Sequence, residues 1–195
     1  MNSLQSLFNK QIILCSHSPR RKQILSDLGL NVSTTSVDII ENYPSTLPYN
    51  DIAEFLANKK VGAYKKPMQN NEILICADTL VFEQGKVLGK PTNPDDAVRM
   101  LKLLSNKEHI VITGCVIKTN KQKISFSEQT KVFFNKLSDE QIDYYIYKYR
   151  PFDKAGAYGI QEWIGMVGIN KIEGDYYNVM GLPACKLFSY LLTLK

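Results

Sequence analysis

Asp78 follows the apolar run Ile73-Leu74-Ile75-Cys76-Ala77, which sets a carboxylate at the carboxyl end of a strand expected to be buried. Ligand crevices of open α/β sheets form at such strand ends, and a general base or a Mg²⁺ ligand needs that kind of rigid mounting. Thr79 adds a hydroxyl beside it. Glu41, in the polar loop over 38–42, is the second carboxylate; two carboxylates on separate loops can hold one Mg²⁺ through waters. On the residues alone, a turn-capping aspartate and a solvated loop glutamate stay open.

The cations are distributed around a second signal, Ser16-His17-Ser18-Pro19-Arg20-Arg21. Ser18 suits an N-cap and Pro19 the first helical position, with Ile24, Leu25 and Leu28 as the apolar stripe behind them. Arg20 and Arg21 then fall in the first turn, where the macrodipole is already positive and each cation is unfavourable by up to about 1 kcal/mol. An anion in front of the helix, held by its N–H groups, the Ser16 and Ser18 hydroxyls and the guanidinium forks, would account for them; a solvated pair is the alternative. On that reading, removing either arginine relieves the empty helix.

Lys60 shares a helix with Lys59, and one of the two is expected to face solvent. Lys90 sits in Leu88-Gly89-Lys90-Pro91, where glycine permits close backbone approach and the lysine offers a point charge for a phosphate. Asp153 to Gln161 joins a charged pair, which includes Lys154, to two glycines and an amide. The Gln161 amide both donates and accepts, as reading a base edge requires. Trp163 is expected to pack rather than to stack on a base.

Apolar strands alternating with amphipathic helical stretches give an α/β class. Strands are expected over Ile12–Cys15, Asn31–Val37, Glu72–Ala77, Ile110–Ile117 and Ser125–Phe134, and a hairpin turns at Gln84-Gly85. Helices are expected around Ile52–Lys60, after Asn93, after the capping box Ser138/Gln141, and over Cys185–Leu194. The stretch 151–168 reads as a structured loop, with strands over Val167–Ile172 and Tyr176–Val179.

A chain of 195 residues, 44% hydrophobic and without low-complexity or linker segments, reads as one unit, residues 1–195. No apolar run reaches the ~20 residues a membrane span needs, and Met1 to Lys10 holds no signal-type stretch. Cys15, Cys76, Cys115 and Cys185 are widely spaced in apolar segments and read as reduced core thiols of a cytoplasmic protein. The net charge of +5 is spread over the chain without the dense stripe of a nucleic-acid binder. There is no Gly-x-x-x-x-Gly-Lys-Ser/Thr loop and no Gly-x-Ser-x-Gly elbow.

Three blocks together resemble the Maf family of nucleotide pyrophosphatases. They are Ser16–Arg21; Ala77-Asp78-Thr79 with Leu88–Pro91 and Thr113-Gly114; and Asp153–Gln161 with Asn178–Pro183, in the family's order. The resemblance implies a single Maf-like domain with an inosine-triphosphate-pyrophosphatase-like fold, an elongated mixed sheet flanked by helices, two lobes around a cleft. It implies hydrolysis of nucleoside triphosphates to monophosphate and pyrophosphate with a divalent metal, Mg²⁺ or Mn²⁺. The block Asp153–Gln161 is similar to that of the branch acting on dTTP and UTP. Asp78 matches the family's proposed base; Arg20, Thr79 and Gln161 match positions tied to pyrimidine selection; Lys60 and Lys90 match basic pocket residues. The expected substrate-binding set is Ser16, Arg20, Arg21, Lys60, Thr79, Lys90, Lys154 and Gln161, with Asp78 and Glu41 as metal ligands. Cys15 replaces the usual alanine, and Glu162-Trp163 replaces a glycine-rich continuation. The partner is then a nucleoside triphosphate, not nucleic acid or membrane, and a homodimer is compatible. Alternatives are a pyrophosphatase for modified nucleotides such as 7-methyl-GTP and a nucleotide-sensing regulator of cell division.

Overall fold

Short, nearly uninterrupted apolar runs set the centre of the sheet, as parallel strands covered on both faces require. In the computed structural model, which describes residues 3–194, helix α1 (Ser3–Phe8) precedes strand β1 (Gln11–Cys15). Helix α2 (Pro19–Asp27) leads to β2 (Asn31–Thr35), and α3 (Tyr49–Ala63) to β3 (Glu72–Glu83). Then come β4 (Lys86–Leu88), α4 (Pro94–Leu104), β5 (Glu108–Lys118), β6 (Lys123–Phe134) and α5 (Asp139–Tyr149). A 3₁₀ turn (Ala155–Ala157), α6 (Trp163–Gly168), β7 (Ile169–Glu173), α7 (Tyr176–Met180) and α8 (Ala184–Leu191) complete the order. Among the described residues the sheet has seven strands in the order β2-β1-β3-β5-β6-β7, with β4 paired to β3. β1 is parallel to β2 and β3, whereas β3–β4 and β6–β7 are antiparallel, so the sheet is mixed and flanked by helices, as expected.

The chain forms two compact units. The first comprises Met1–Asp78, Thr113–Glu128 and Gly181–Lys195. Its sheet face carries Ile13, Cys15, Leu74, Cys76 and Val116 against Ala57, Val61 and Tyr64 from α3 and its end. That helix lies so close to β5 that a Cβ on Gly114 would stand 2.1 Å from the backbone nitrogen of Glu54. Gly114→Ala must therefore push α3 off the sheet. A melting curve should show a loss of about 1–3 kcal/mol, the range for overpacking, and turnover should fall with it because α3 carries Lys60.

The second unit comprises Thr79–Ile112 and Gln129–Met180. Its core gathers Val81, Leu101, Leu104, Val132, Tyr145, Tyr158 and Ile164. Inside it His109, 2% exposed, shares one hydrogen bond (2.7 Å) with the Tyr158 hydroxyl and meets the Phe134 and Tyr158 rings edge-on at 5.3 Å. Its Nδ1 is buried without a partner, and burial pushes the imidazole down to about 3. The unfolded chain, with an ordinary histidine near 6.5, takes up a proton below that pH that the folded chain refuses. Stability is therefore lost as pH falls from about 6.5 toward 3. Between pH 7 and pH 4.5 the loss from this group is about 2.5 kcal/mol. Denaturant melts at the two pH values should show it, and His109→Gln should shrink the difference.

Five expectations change. Glu72–Ala77 does not end at Asp78: β3 runs unbroken to Glu83, because β4 pairs with Val81–Glu83 and keeps the chain extended. The stretch 151–168 is not all loop, since the 3₁₀ turn and α6 lie in it, and β7 starts at Ile169 rather than Val167. Tyr176–Val179 belongs to a helix, not a strand: the Asp175 carboxylate accepts from Tyr177 N (2.7 Å) and caps it. Cys15, Cys76 and Cys115 are buried free thiols, but Cys185 is exposed at the start of α8.

Candidate active site

Parallel pairing between β1 and β3 ends at Cys15 opposite Cys76, so Asp78 stands two residues beyond the point where its neighbour stops. A strand that continues after its parallel partner ends provides the rigid carboxylate mount that the sequence suggested, although Asp78 is interior to the strand. Because side chains alternate along a strand, the neighbouring Asp78 and Thr79 leave it on opposite faces.

Asp78 is 6% exposed, and Lys60 from α3 donates to its Oδ1. The same ammonium lies 3.3 Å from Glu41 Oε1, so both predicted carboxylates converge on one cation. Burial raises the Asp78 carboxyl above the usual range, opposed by the Lys60 charge and hydrogen bond and by Arg21, with Glu41 adding to the rise. A carboxylate more basic than an exposed one is suited to proton abstraction. Lys59, the other of the pair, donates to Ile40 O (2.7 Å), Asn42 O (3.0 Å) and Asn42 Oδ1 (2.6 Å) and holds the loop that carries Glu41.

The helix opening follows the sequence closely. Ser18 caps α2 by accepting from Arg21 N, with Pro19 in the first turn. Arg21 then turns inward. Its Nε donates to Gly181 O (2.7 Å), and its Nη1 to Ser16 Oγ (3.1 Å) and Ala77 O (3.0 Å). Arg21 thus braces the residue before Asp78, and burial lowers its guanidinium from the usual value while the Asp78 charge opposes. The expected relief on removing it is reversed. Arg21→Ala removes the charged donor from two carbonyls, and the empty protein should lose about 3–6 kcal/mol in a melting experiment, since a hydrogen bond to a charged group contributes ~1.5–3 kcal/mol. Arg20 is half-buried in the same turn.

In front of α2 lies a concave pocket of about 400 Å³ lined by Ser16, His17, Ser18, Pro19, Lys22, Thr34, Thr35 and Ser36. Hydroxyls, a lysine and a helix N-terminus make a wall suited to phosphate oxygens. Lys22 and the end of β2 were not singled out from the sequence. The available signal was the hydroxyl run Ser33–Ser36, which has no apolar alternation.

The second unit holds the remaining candidates. Thr79 is half-buried and Lys90 exposed. The loop bearing Lys90 is fixed by Gly156 N donating to Gly89 O (3.0 Å). Gly156 has φ +70°, with Val81 Cγ2 only 3.2 Å from where its Cβ would be, so the turn needs glycine there. Lys154 is 7% exposed and pairs with Asp153 Oδ1 (2.7 Å) and Glu162 Oε1 (3.1 Å). Gln161 is half-buried, yet its Oε1 is enclosed and has no hydrogen-bond partner. Such an acceptor is unfavourable by ~1–3 kcal/mol until a donor arrives. Trp163 packs edge-on against Tyr144 (4.9 Å).

Among the described residues no group of three or more His, Cys, Asp or Glu is arranged to hold a metal ion. Asp78 and Glu41 nonetheless reach a common point of positive charge at Lys60, and two carboxylates completed by waters and substrate phosphates are a donor set Mg²⁺ accepts. The pair fits a divalent cation.

An α/β protein with a buried Asp–Lys pair and a hydroxyl-lined helix opening is the class that these features define. The model of the family described as Maf-like protein matches residues 11–194, and the chain belongs to that family. A "dTTP/UTP pyrophosphatase" of Flavobacterium johnsoniae is 48% identical over 97% of this chain and 98% of its own length. One of the same name from Phocaeicola vulgatus is 50% identical over 98% of this chain and all of its own. Among solved structures, the Staphylococcus aureus Ham1 protein is similar over 64% of this chain and 72% of that one, at 13% identity and a TM-score of 0.39.

Proposed function

We propose that the protein hydrolyses dTTP and UTP to the nucleoside monophosphate and pyrophosphate. The observation that carries this reading is the buried Asp78 carboxylate held on Lys60, in a chain whose curated relatives bear the name dTTP/UTP pyrophosphatase.

Water attacks the α-phosphorus and the bond to the bridging oxygen breaks, releasing pyrophosphate. Asp78 orients that water and accepts its proton. Lys60 holds the Asp78 carboxylate in place. Arg20, Lys90 and the hydroxyls before α2, Ser16 and Ser18, take up phosphate charge, while Arg21 keeps Ala77 and Ser16 in register. Thr79 and Gln161 select the base, with Lys154 supporting Gln161 through Glu162. Asp78 and Glu41 would hold Mg²⁺ or Mn²⁺, which when bound neutralises phosphate charge. Among the described residues no helix is long and apolar enough to cross a membrane. The buried free thiols support a reducing, cytoplasmic setting.

The test is pyrophosphate release from dTTP, UTP, CTP, GTP, ATP and 7-methyl-GTP, with the metal supplied and withdrawn. Release confined to 7-methyl-GTP, or nucleotide binding without turnover, overturns the reading.

A further inference from the structure

Gln161 can select a base only if its amide points one way. The two ends of an amide have nearly the same shape and opposite hydrogen-bonding sense, so a bare Gln161 would serve an N–H on a base or a lone pair equally well. Here the two ends have different surroundings. The amide nitrogen and the Glu162 carboxylate pack over the α-carbon of Gly159: a Cβ there would stand 3.0 Å from Gln161 Nε2 and 3.1 Å from Glu162 Oε2. The carboxylate attracts the NH₂ end and repels the carbonyl. The carbonyl oxygen is left enclosed and without a hydrogen-bond partner.

Glu162 is itself immobilised. Lys154 Nζ lies 3.1 Å from its Oε1, and the hydroxyl of Tyr145, fully buried on α5, donates to its Oε2. That hydroxyl also accepts from Gly159 N (3.0 Å), and Glu162 N donates to Gly159 O (3.0 Å), so the 159–162 turn is closed through backbone and side chains. Burial and the neighbouring carboxylate push the Tyr145 phenol far above its usual value, and it remains a donor.

We propose that Glu162 is a positioning residue that locks the polarity of the Gln161 amide, so that only a base offering an N–H to the trapped carbonyl oxygen is accepted. This rests on the reading above that Gln161 meets the base. The imide N–H of uracil and thymine satisfies the carbonyl; the bare ring nitrogen of cytosine meets it lone pair to lone pair. With the lock removed, the amide turns over and offers its NH₂ to cytosine instead.

The experiment is kcat/KM for UTP and CTP in the unmodified protein, Glu162→Gln, Glu162→Asp and Tyr145→Phe, each checked for folding by melting temperature. Glu162→Gln should shrink the UTP preference about tenfold or more, chiefly by raising kcat/KM for CTP. Tyr145→Phe should move it the same way by less, and Glu162→Asp should restore most of it. A purely structural role would lower both substrates together. A UTP-to-CTP ratio unchanged in folded Glu162→Gln overturns the proposal while base selection stands; if that variant does not fold, an unchanged ratio in Tyr145→Phe does so. An unmodified protein that turns over CTP as well as UTP overturns base selection and the lock with it.

Discussion

Asp78→Asn should lower kcat by about 10²-fold or more while the protein stays folded, in line with the loss of general-base catalysis. The amide keeps the shape and a hydrogen-bonding oxygen for Lys60 but has neither the charge nor the basicity to take a proton from water. Lys60 retains Glu41 at 3.3 Å as a counter-ion, which is why folding should survive the change. Steady-state kinetics with dTTP, beside a melting curve, make the check. Near-normal turnover in a folded variant would remove Asp78 from the chemistry.

Gln161→Ala should act on choice more than on speed. The unmodified protein is expected to turn over dTTP and UTP best, with CTP and both purine triphosphates well behind. A site that leaves a buried polar group unpaired with the wrong partner can discriminate by factors of about 10⁴. The uracil and thymine edges present two carbonyls flanking one N–H, and on the proposed reading the enclosed Gln161 oxygen, which has no partner within the protein, is the acceptor for that N–H. Without the amide, the ranking should flatten while the best rate falls by less than the ranking changes. A substrate panel on both proteins measures this, and a ranking identical in the two would show that the base is read elsewhere.

Where local chemistry decides the structure, the sequence was legible. Ser18-Pro19 opens α2, Asn93 caps α4, and Ser138 with Gln141 forms a reciprocal capping box on α5, each within four residues of its own cause. The carboxylate pair was legible as residue types, but its meeting on Lys60 was not, since that depends on how closely Gly114 lets α3 approach the sheet. The continuation of β3 past Asp78 depends on pairing with β4, and periodicity through Ala77-Asp78-Thr79 does not report it. Arg21 looked like an anion ligand because its cost at a helix N-terminus is local, whereas its partners Ala77 and Gly181 lie 56 and 160 residues away. Tyr176–Val179 looked like a strand from its tyrosines and valine; one capping aspartate outweighed that propensity.

The bond from Arg21 to Gly181 has a bearing on how the protein is made. The unit that contains Asp78 gathers segments from both sides of the second unit and is completed only by the stretch from Gly181 onward. The second unit, ending at Met180, has all its residues before the first can close. Domains usually fold in the order in which they are synthesised; here the unit started first is finished last. A nascent chain that stops short of residue 181 lacks the carbonyl that anchors Arg21, and the strand carrying Asp78 is left without its brace. Termination before Gly181 should therefore yield no partially working hydrolase, since the strand carrying Asp78 gains its brace only once that residue has been added.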